Sequence, residues 1–189
     1  MKTTLYLALL ILTTTLTYGQ CDALIKITQQ EFEQHFVQGD TVQPSAGFVK
    51  EDNEVHIPGI DHPYTDWYED GVMVYEPVGK IFNDFYVLEM MDEIKDSYYL
   101  IRPEPYSFTE VTGYPYMYGN YILAIESPHT DYDNSLEVWE FKNGTFKLCK
   151  KIGLTACGIQ DVLQSYIKNK TAYIKTYYSQ QPQYYKLKF

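Results

Sequence analysis

The sequence predicts a mainly antiparallel β domain, sandwich-like or similar to propeller blades, with one short N-terminal helix. Short runs of β-branched and aromatic residues recur along the chain, and turn-forming Gly, Pro, Asn and Asp separate them. The 189 residues include 20 Tyr, and aromatic residues make up 16% of the chain, which favours strands. Only one segment has helical periodicity, and no repeat of about 40–50 residues is visible.

The N-terminal 20 residues have the pattern of an export signal. Lys2 precedes an apolar stretch over residues 5–12, and a Thr-rich segment leads to a cleavage point near Gly19 or Gln20. The sequence therefore predicts a signal peptide over residues 1–20 and one β-rich domain over residues 21–189.

The end of this signal resembles the signals of secreted Bacteroidota proteins, because it closes on a Gly-Gln pair. The resemblance implies a periplasmic or extracellular bacterial protein. Cys21 follows directly, but the residues before it do not fit a lipoprotein signal, so a lipid anchor at Cys21 is not expected.

The charge balance bears on the class of partner. Asp and Glu number 25 against 15 Lys and Arg, which gives a formal net charge of −10. Nucleic-acid binding needs clustered basic residues, so no nucleic-acid partner is expected. A basic partner suits an acidic surface. Because no second stretch approaches about 20 apolar residues, no transmembrane segment is expected.

The helix is predicted over residues 29–37. Thr28 and Glu31 form a capping-box pattern, and Gly39 ends the segment. Phe32 and Phe36 are four residues apart, so we expect both rings to pack on a sheet.

Strands are predicted from composition and from the turn residues that bound each run. They cover residues 47–49, 55–57, 71–75, 85–90, 97–101, 121–126, 136–141, 145–152, 159–167, 171–178 and 183–189. Asn143-Gly144 predicts a tight hairpin, and residues 168–170 predict a second one. The last 70 or so residues therefore read as one antiparallel meander of about five strands, closed by an edge strand that lysines protect.

Two cysteines predict a disulfide in an oxidising compartment. Cys149 and Cys157 lie close enough in sequence to join neighbouring segments. Strand alternation puts Leu148 and Ile152 on the apolar face and Cys149 on the other, and a returning chain would bring Cys157 beside it. Cys21 would then remain free. The alternative is two unpaired thiols.

An aromatic cluster is the candidate binding site. Flat aromatic rings offer stacking platforms for sugars or anchors for a protein partner. The alternative is the edge of the core, where Tyr buries its ring and keeps its hydroxyl wet. The candidate residues are Tyr106, Phe108, Tyr114, Tyr116 and Tyr118.

A metal site is the weaker hypothesis. In an extended segment His129, Asp131 and Asp133 point to one side, and Asn134 and Glu137 would add oxygen ligands. The ion would be Ca²⁺ or Zn²⁺, and the alternative is a polar turn.

A second metal set would combine His56 and His62 with the acidic residues of segment 66–70. The alternative for this set is an ordinary surface loop.

The motifs of common enzyme classes are absent from the sequence, including the nucleophile elbow, the zinc-protease helix motif and the phosphate-binding loop. The sequence therefore favours an exported non-enzymatic binding protein. Two versions are open: a periplasmic inhibitor or immunity-type protein for a basic partner, and a small carbohydrate-binding module. The alternative class is a metal-dependent hydrolase that uses His129, Asp131 and Asp133.

Overall fold

The computed structural model describes residues 21–44, 47–51, 54–65, 74–91, 96–126, 134–178 and 181–189. Over these residues the chain forms four antiparallel sheets and one short helix, which confirms the predicted mainly β class. The helix, α1, spans Gln29–Gln34.

The sheets are numbered here in chain order. Sheet I contains β2 (Val49–Glu51), β3 (Glu54–His56) and β4 (Tyr64–Thr65). Sheet II contains β5 (Val74–Ile81), β6 (Phe85–Met91), β7 (Asp96–Arg102) and β8 (Ser107–Thr112). Sheet III contains β9 (Tyr114–Tyr118), β10 (Tyr121–Ile125), β11 (Ser135–Lys142) and β12 (Thr145–Gly153). Sheet IV contains β13 (Val162–Lys168), β14 (Thr171–Tyr178), β15 (Gln181–Lys188) and the N-terminal β1 (Leu24–Ile27).

Consecutive sheets pack face to face through shared apolar clusters. In β10, Ile122 and Ala124 join the cluster with sheet II, whereas Leu123 joins the cluster with sheet IV. This division follows from strand alternation, which points neighbouring side chains to opposite faces. β10 is therefore buried on both faces, which accounts for its unbroken apolar character.

The two predicted hairpins are confirmed, but the single five-stranded meander is wrong. Asn143 and Gly144 have positive φ values of 54° and 77° between β11 and β12, and Asn169-Lys170 makes the turn between β13 and β14. The five strands divide between sheets III and IV because residues 154–161, including a 3₁₀ turn at Thr155–Cys157, carry the chain away from β12.

The sequence predicts that the C-terminal strand is an edge strand, and this prediction is wrong. β1 pairs antiparallel with β15 along its length, from Leu24 opposite Leu187 to Ile27 opposite Tyr184. β15 is thus an inner strand, and the two ends of the domain lie in one sheet. β1 has only four residues, which is too short for an alternating pattern to predict it as a strand.

Helix α1 begins as predicted and ends earlier. The Thr28 hydroxyl accepts a hydrogen bond from Glu31 N at 3.1 Å, as the capping pattern indicated. Phe32 is buried against sheet IV, but Phe36 is 46% exposed. The helix ends at Gln34, so Phe36 lies beyond it, but its ring still packs edge-on against Tyr166 of sheet IV with centroids 5.5 Å apart, as the sequence predicted.

The predicted Cys149–Cys157 disulfide is wrong. Cys157 bonds to Cys21, and Cys149 is a free thiol. A β-bulge explains the error, because Val138 pairs with Lys150 while Trp139 pairs with Leu148, leaving Cys149 as the extra residue. The bulge interrupts the alternation, so Leu148 is 40% exposed although Ile152 is buried.

A buried carboxylate joins sheets II and III. Glu137 Oε2 accepts hydrogen bonds from Trp139 Nε1 at 2.9 Å and Thr112 N at 3.2 Å, and Glu137 Oε1 accepts from Lys151 Nζ at 2.7 Å. Burial by itself raises the pKa of this carboxyl, but the hydrogen bonds outweigh burial and hold the pKa below its ordinary value of 4.5.

We expect Glu137→Gln to lower the free energy of unfolding by about 2 kcal/mol at neutral pH, because it removes charge-assisted hydrogen bonds. The wild-type carboxylate stabilises the fold above about pH 4.5, and this contribution is lost as the pH falls through the lowered pKa. Urea unfolding at neutral pH and at about pH 3 measures both effects. The exposed Glu51→Gln is the control. An equal loss at both pH values would contradict this account.

Candidate functional site

A cleft of about 800 Å³ lies between β9 of sheet III and β13 of sheet IV. The segment that follows helix α1 runs along one side of it. Asp40 N donates to Met117 O at 2.8 Å and Met117 N donates to Asp40 O at 2.9 Å, so this segment is fixed to β9 by backbone hydrogen bonds. The cleft has the size of known small-ligand sites.

Strand β9 supplies three tyrosines to the cleft. Tyr114, Tyr116 and Tyr118 alternate with Pro115 and Met117, so the three rings share one face of the strand while Pro115 and Met117 are buried on the other. β9 is the outer strand of sheet III, where a Pro is tolerated. The local sequence thus directs a row of tyrosines to one side.

The outer two tyrosines are held by hydrogen bonds to other elements. The Tyr114 hydroxyl oxygen accepts from Val42 N at 3.1 Å, and the Tyr118 hydroxyl donates to Ser165 O on β13 at 2.8 Å. Burial, with a smaller contribution from Tyr116, raises the pKa of Tyr118 to about 12. Burial also raises the pKa of Tyr114. Tyr118 is therefore a neutral phenol at physiological pH.

A glycine makes room for this arrangement. A Cβ atom at Gly39 would lie 2.5 Å from Cζ of Tyr118, well inside van der Waals contact. Gly39 therefore permits the segment after the helix to run across the Tyr118 ring, which shapes one wall of the cleft.

The polar side of the cleft contains an unpartnered acceptor. Asn134 is 4% exposed, and its Nδ2 donates to Gln160 O. Its Oδ1 is buried and has no hydrogen-bond partner among the described residues. The amide orientation is fixed, because a flipped amide would place Oδ1 against the Gln160 carbonyl oxygen. An unpaired buried acceptor costs on the order of 1–3 kcal/mol.

The lining is acidic. Glu126 and Asp161 carry carboxylates, and no Lys, Arg or His is found among the described residues that line the cleft. The Ser135 hydroxyl donates to Glu126 Oε2 at 3.1 Å, which holds that carboxylate in place. The site therefore favours cationic or hydrogen-bond-donating groups over anions.

The predicted binding residues lie in two separate parts of the structure. Tyr114, Tyr116 and Tyr118 line the cleft, whereas Tyr106 and Phe108 do not. Tyr106 is 60% exposed beyond the end of β7, and Phe108 on β8 lies 5.0 Å from the ring of Tyr99. Whether any of them binds a ligand stays a prediction.

The first metal hypothesis falls largely outside the described residues. His129, Asp131 and Asp133 lie there, so the Ca²⁺ or Zn²⁺ site they would form stays a prediction. Glu137, which the sequence suggested as a further oxygen ligand of this metal site, instead accepts a hydrogen bond from Lys151.

The second metal set is only partly described. His56 Nε2 lies 3.2 Å from Glu54 Oε2, and the His62 ring is 5.9 Å from the ring of Tyr64. The acids of segment 66–70 fall outside the described residues. Within the described part of the chain, no three His, Cys, Asp or Glu side chains converge as metal ligands.

Comparison with known proteins found no matching family model, no matching curated protein and no matching solved structure. Among the described residues, no helix has the length and apolar character to cross a membrane.

Sequence reasoning did not identify the polar side of the cleft. Asn134 was noted only as a calcium ligand, and Glu126 and Asp161 were not singled out. Glu126 and Asn134 meet through the pairing of β10 with β11, and Asp161 joins them from the segment before β13. No local pattern marks them.

Proposed function

We propose that this chain is an exported, non-enzymatic binding protein whose ligand occupies the tyrosine cleft. The single observation that carries the proposal is the cleft of about 800 Å³, which combines three tyrosines of β9 with the carboxylates of Glu126 and Asp161. Tyr114, Tyr116 and Tyr118 supply its apolar surface. Binding sites commonly combine such a surface with a few fixed polar groups.

Export is supported by the signal pattern and by the cysteine pairing. Stable disulfides belong to oxidising compartments, and Cys21 bonds to Cys157. The Cys21 sulfur in this bond has no valence left for a thioether-linked lipid. We therefore propose that the protein acts in the periplasm or outside the cell and carries no lipid on Cys21.

A basic protein partner is the version that the cleft favours. Glu126 and Asp161 give the lining a negative charge, and the whole chain carries a formal net charge of −10. Complementary charge speeds encounter and selects among partners. An inhibitor or immunity-type protein that binds a basic partner fits these observations.

A carbohydrate-binding module is the second candidate, and it has its own supporting observation. Phe108 is 45% exposed and packs against Tyr99, with Tyr106 exposed nearby at the end of sheet II. Exposed rings of this kind offer flat apolar surface to the faces of sugars. This surface is separate from the cleft.

The test compares two single substitutions across two arrays. Wild-type protein is applied to a panel of purified basic proteins and to a glycan array, beside Tyr116→Ala in the cleft and Tyr106→Ala outside it. We expect stoichiometric binding of a basic protein, weakened at least about tenfold by Tyr116→Ala and unchanged by Tyr106→Ala. Glycan retention that only Tyr106→Ala abolishes would support the second candidate. Absence of binding on both arrays would contradict the proposed function.

A further inference from the structure

We infer that four exposed apolar side chains around the cleft dock an amphipathic basic segment of a protein partner, one that carries large apolar side chains beside Lys or Arg. These four side chains, here called the apolar rim, are Phe36, Tyr116, Leu163 and Tyr177. This inference rests on the proposed function and specifies which part of a basic partner the protein recognises.

The apolar rim concentrates exposed apolar surface in one place. Nine large apolar side chains are exposed in the described part of the chain, and the four that line this cleft are each between 43% and 49% exposed. The other five are spread over all four sheets and the turn before β8. They are Ile25, Val49, Tyr106, Phe108 and Leu148. Single exposed apolar residues are ordinary, whereas apolar surface gathered at one place marks an interaction site.

Local structure keeps the apolar rim out of the core. Phe36 lies beyond the end of α1, and Tyr116 is on β9, the outer strand of sheet III. Leu163 is the extra residue of a bulge in the pairing of β13 with β14, and bulges commonly redirect a side chain beside a functional site. Tyr177 belongs to β14. Because four separate elements supply the apolar rim, a macromolecular partner contacts these side chains separately across the cleft.

The lining of the cleft selects a cationic partner. Glu126 and Asp161 carry carboxylates there, and no Lys, Arg or His is found among the described residues of the lining. Complementary charge speeds the encounter of two proteins and suppresses wrong partners. A segment that matches both the apolar rim and this lining therefore carries Lys or Arg next to its apolar side chains.

Other occupants match only part of this surface. A second copy of the chain carries the same formal net charge of −10, so the two copies repel each other. An acidic segment would place like charges beside Glu126 and Asp161. A neutral apolar ligand fits the apolar rim but gains nothing from the two carboxylates. Charge and apolar contact together favour the amphipathic basic segment.

Fluorescence anisotropy titration of three labelled, capped hexapeptides tests this partner chemistry. The first peptide alternates Lys with Leu, the second alternates Glu with Leu, and the third alternates Lys with Ser. We expect the Lys-Leu peptide to bind at least about tenfold more tightly than either of the others, and added salt to weaken it. If the Lys-Leu peptide bound no more tightly than the Glu-Leu or the Lys-Ser peptide, the inference would be overturned.

Two matched pairs of variants locate the binding. Phe36→Ala and Tyr177→Ala should each reduce the affinity for the Lys-Leu peptide about tenfold, because aromatic anchors dominate binding energy at interfaces. Phe108→Ala and Tyr106→Ala make the same changes at exposed positions outside the cleft and should leave the affinity unchanged. Tyr177→Ala keeps the test valid if Phe36→Ala does not fold. Peptide binding that the cleft variants leave unchanged is nonspecific attraction to an acidic protein and overturns the inference.

The protein panel separates this inference from the proposed function. If the Lys-Leu peptide does not bind but the panel still retains a basic protein through Tyr116, the inference is overturned while the proposed function stands. If the peptide does not bind and both arrays are also empty, both fail.

Discussion

Removing the Cys21–Cys157 disulfide is expected to lower the free energy of unfolding by about 5 kcal/mol, the loop-entropy value for a closed loop of this length. The bond spans a sequence separation of 136, so it restricts most of the unfolded chain. It also fixes the residues just before β1, the strand that pairs with β15. The double variant Cys21→Ser/Cys157→Ser, compared with wild type by urea unfolding, measures the loss.

Cys149→Ser is the matched control and should change stability little, because Cys149 is a half-buried free thiol in a bulge. Alkylation without reductant should label Cys149 alone, and reduction should expose the other two thiols. Burial raises the pKa of the Cys149 thiol, so the labelling will be slow at neutral pH. Full labelling of Cys21 or Cys157 without reductant would show that this bond is absent.

Phe32→Ala is the second large effect, with an expected loss of about 3–5 kcal/mol in the free energy of unfolding. Phe32 is buried at the centre of an aromatic cluster, 5.0 Å from the ring of Tyr166 and 5.2 Å from the ring of Tyr184. The Tyr166 hydroxyl also donates to Phe32 O. Truncation leaves a cavity under helix α1 that these rings cannot fill.

Phe36→Ala is the matched control, because it makes the same change four residues away at a position that is 46% exposed. We expect its loss to be about 1 kcal/mol, because it removes only an edge-on ring contact with Tyr166. Thermal unfolding of both variants provides the comparison. If the two variants lost equal stability, helix α1 would not be anchored through Phe32.

Local signals in the sequence predicted the local structure well. The Thr28 cap and the Asn143-Gly144 turn each depend on a few adjacent residues, and each is found where it was expected. A side-chain oxygen at an N-cap and a positive φ at a turn are properties of single residues. They can therefore be read without knowing what packs against them.

Long-range pairing was the part that sequence could not provide. β1 pairs with β15 across almost the whole chain, and Cys21 bonds to Cys157 over the same span. The bulge at Cys149 reversed the face assignment on which the Cys149–Cys157 prediction depended. Such features are set by tertiary packing, and a short strand or an extra residue leaves no clear mark in the pattern.

Only the aromatic part of the candidate site could be predicted from the sequence. The alternation of Tyr114, Tyr116 and Tyr118 indicated a row of aromatic side chains, and the structure places all three on the cleft. Asn134, before β11, and Asp161, before β13, join them only in the folded chain. The aromatic wall is a property of one strand, whereas the polar wall is a property of the fold.

The most direct test of the cleft as the ligand site is a nitrogen-15 and proton correlation spectrum of the labelled protein during titration with the basic protein that the panel identifies. The side-chain amide of Asn134 has its own resonances, and Asn134 lines the cleft together with the tyrosines. The account predicts that the largest shifts at saturation fall on this amide and on the backbone amides of Tyr116 and Asp161. Shifts confined to Tyr106 and Phe108, or an unchanged Asn134 amide at saturation, would contradict it.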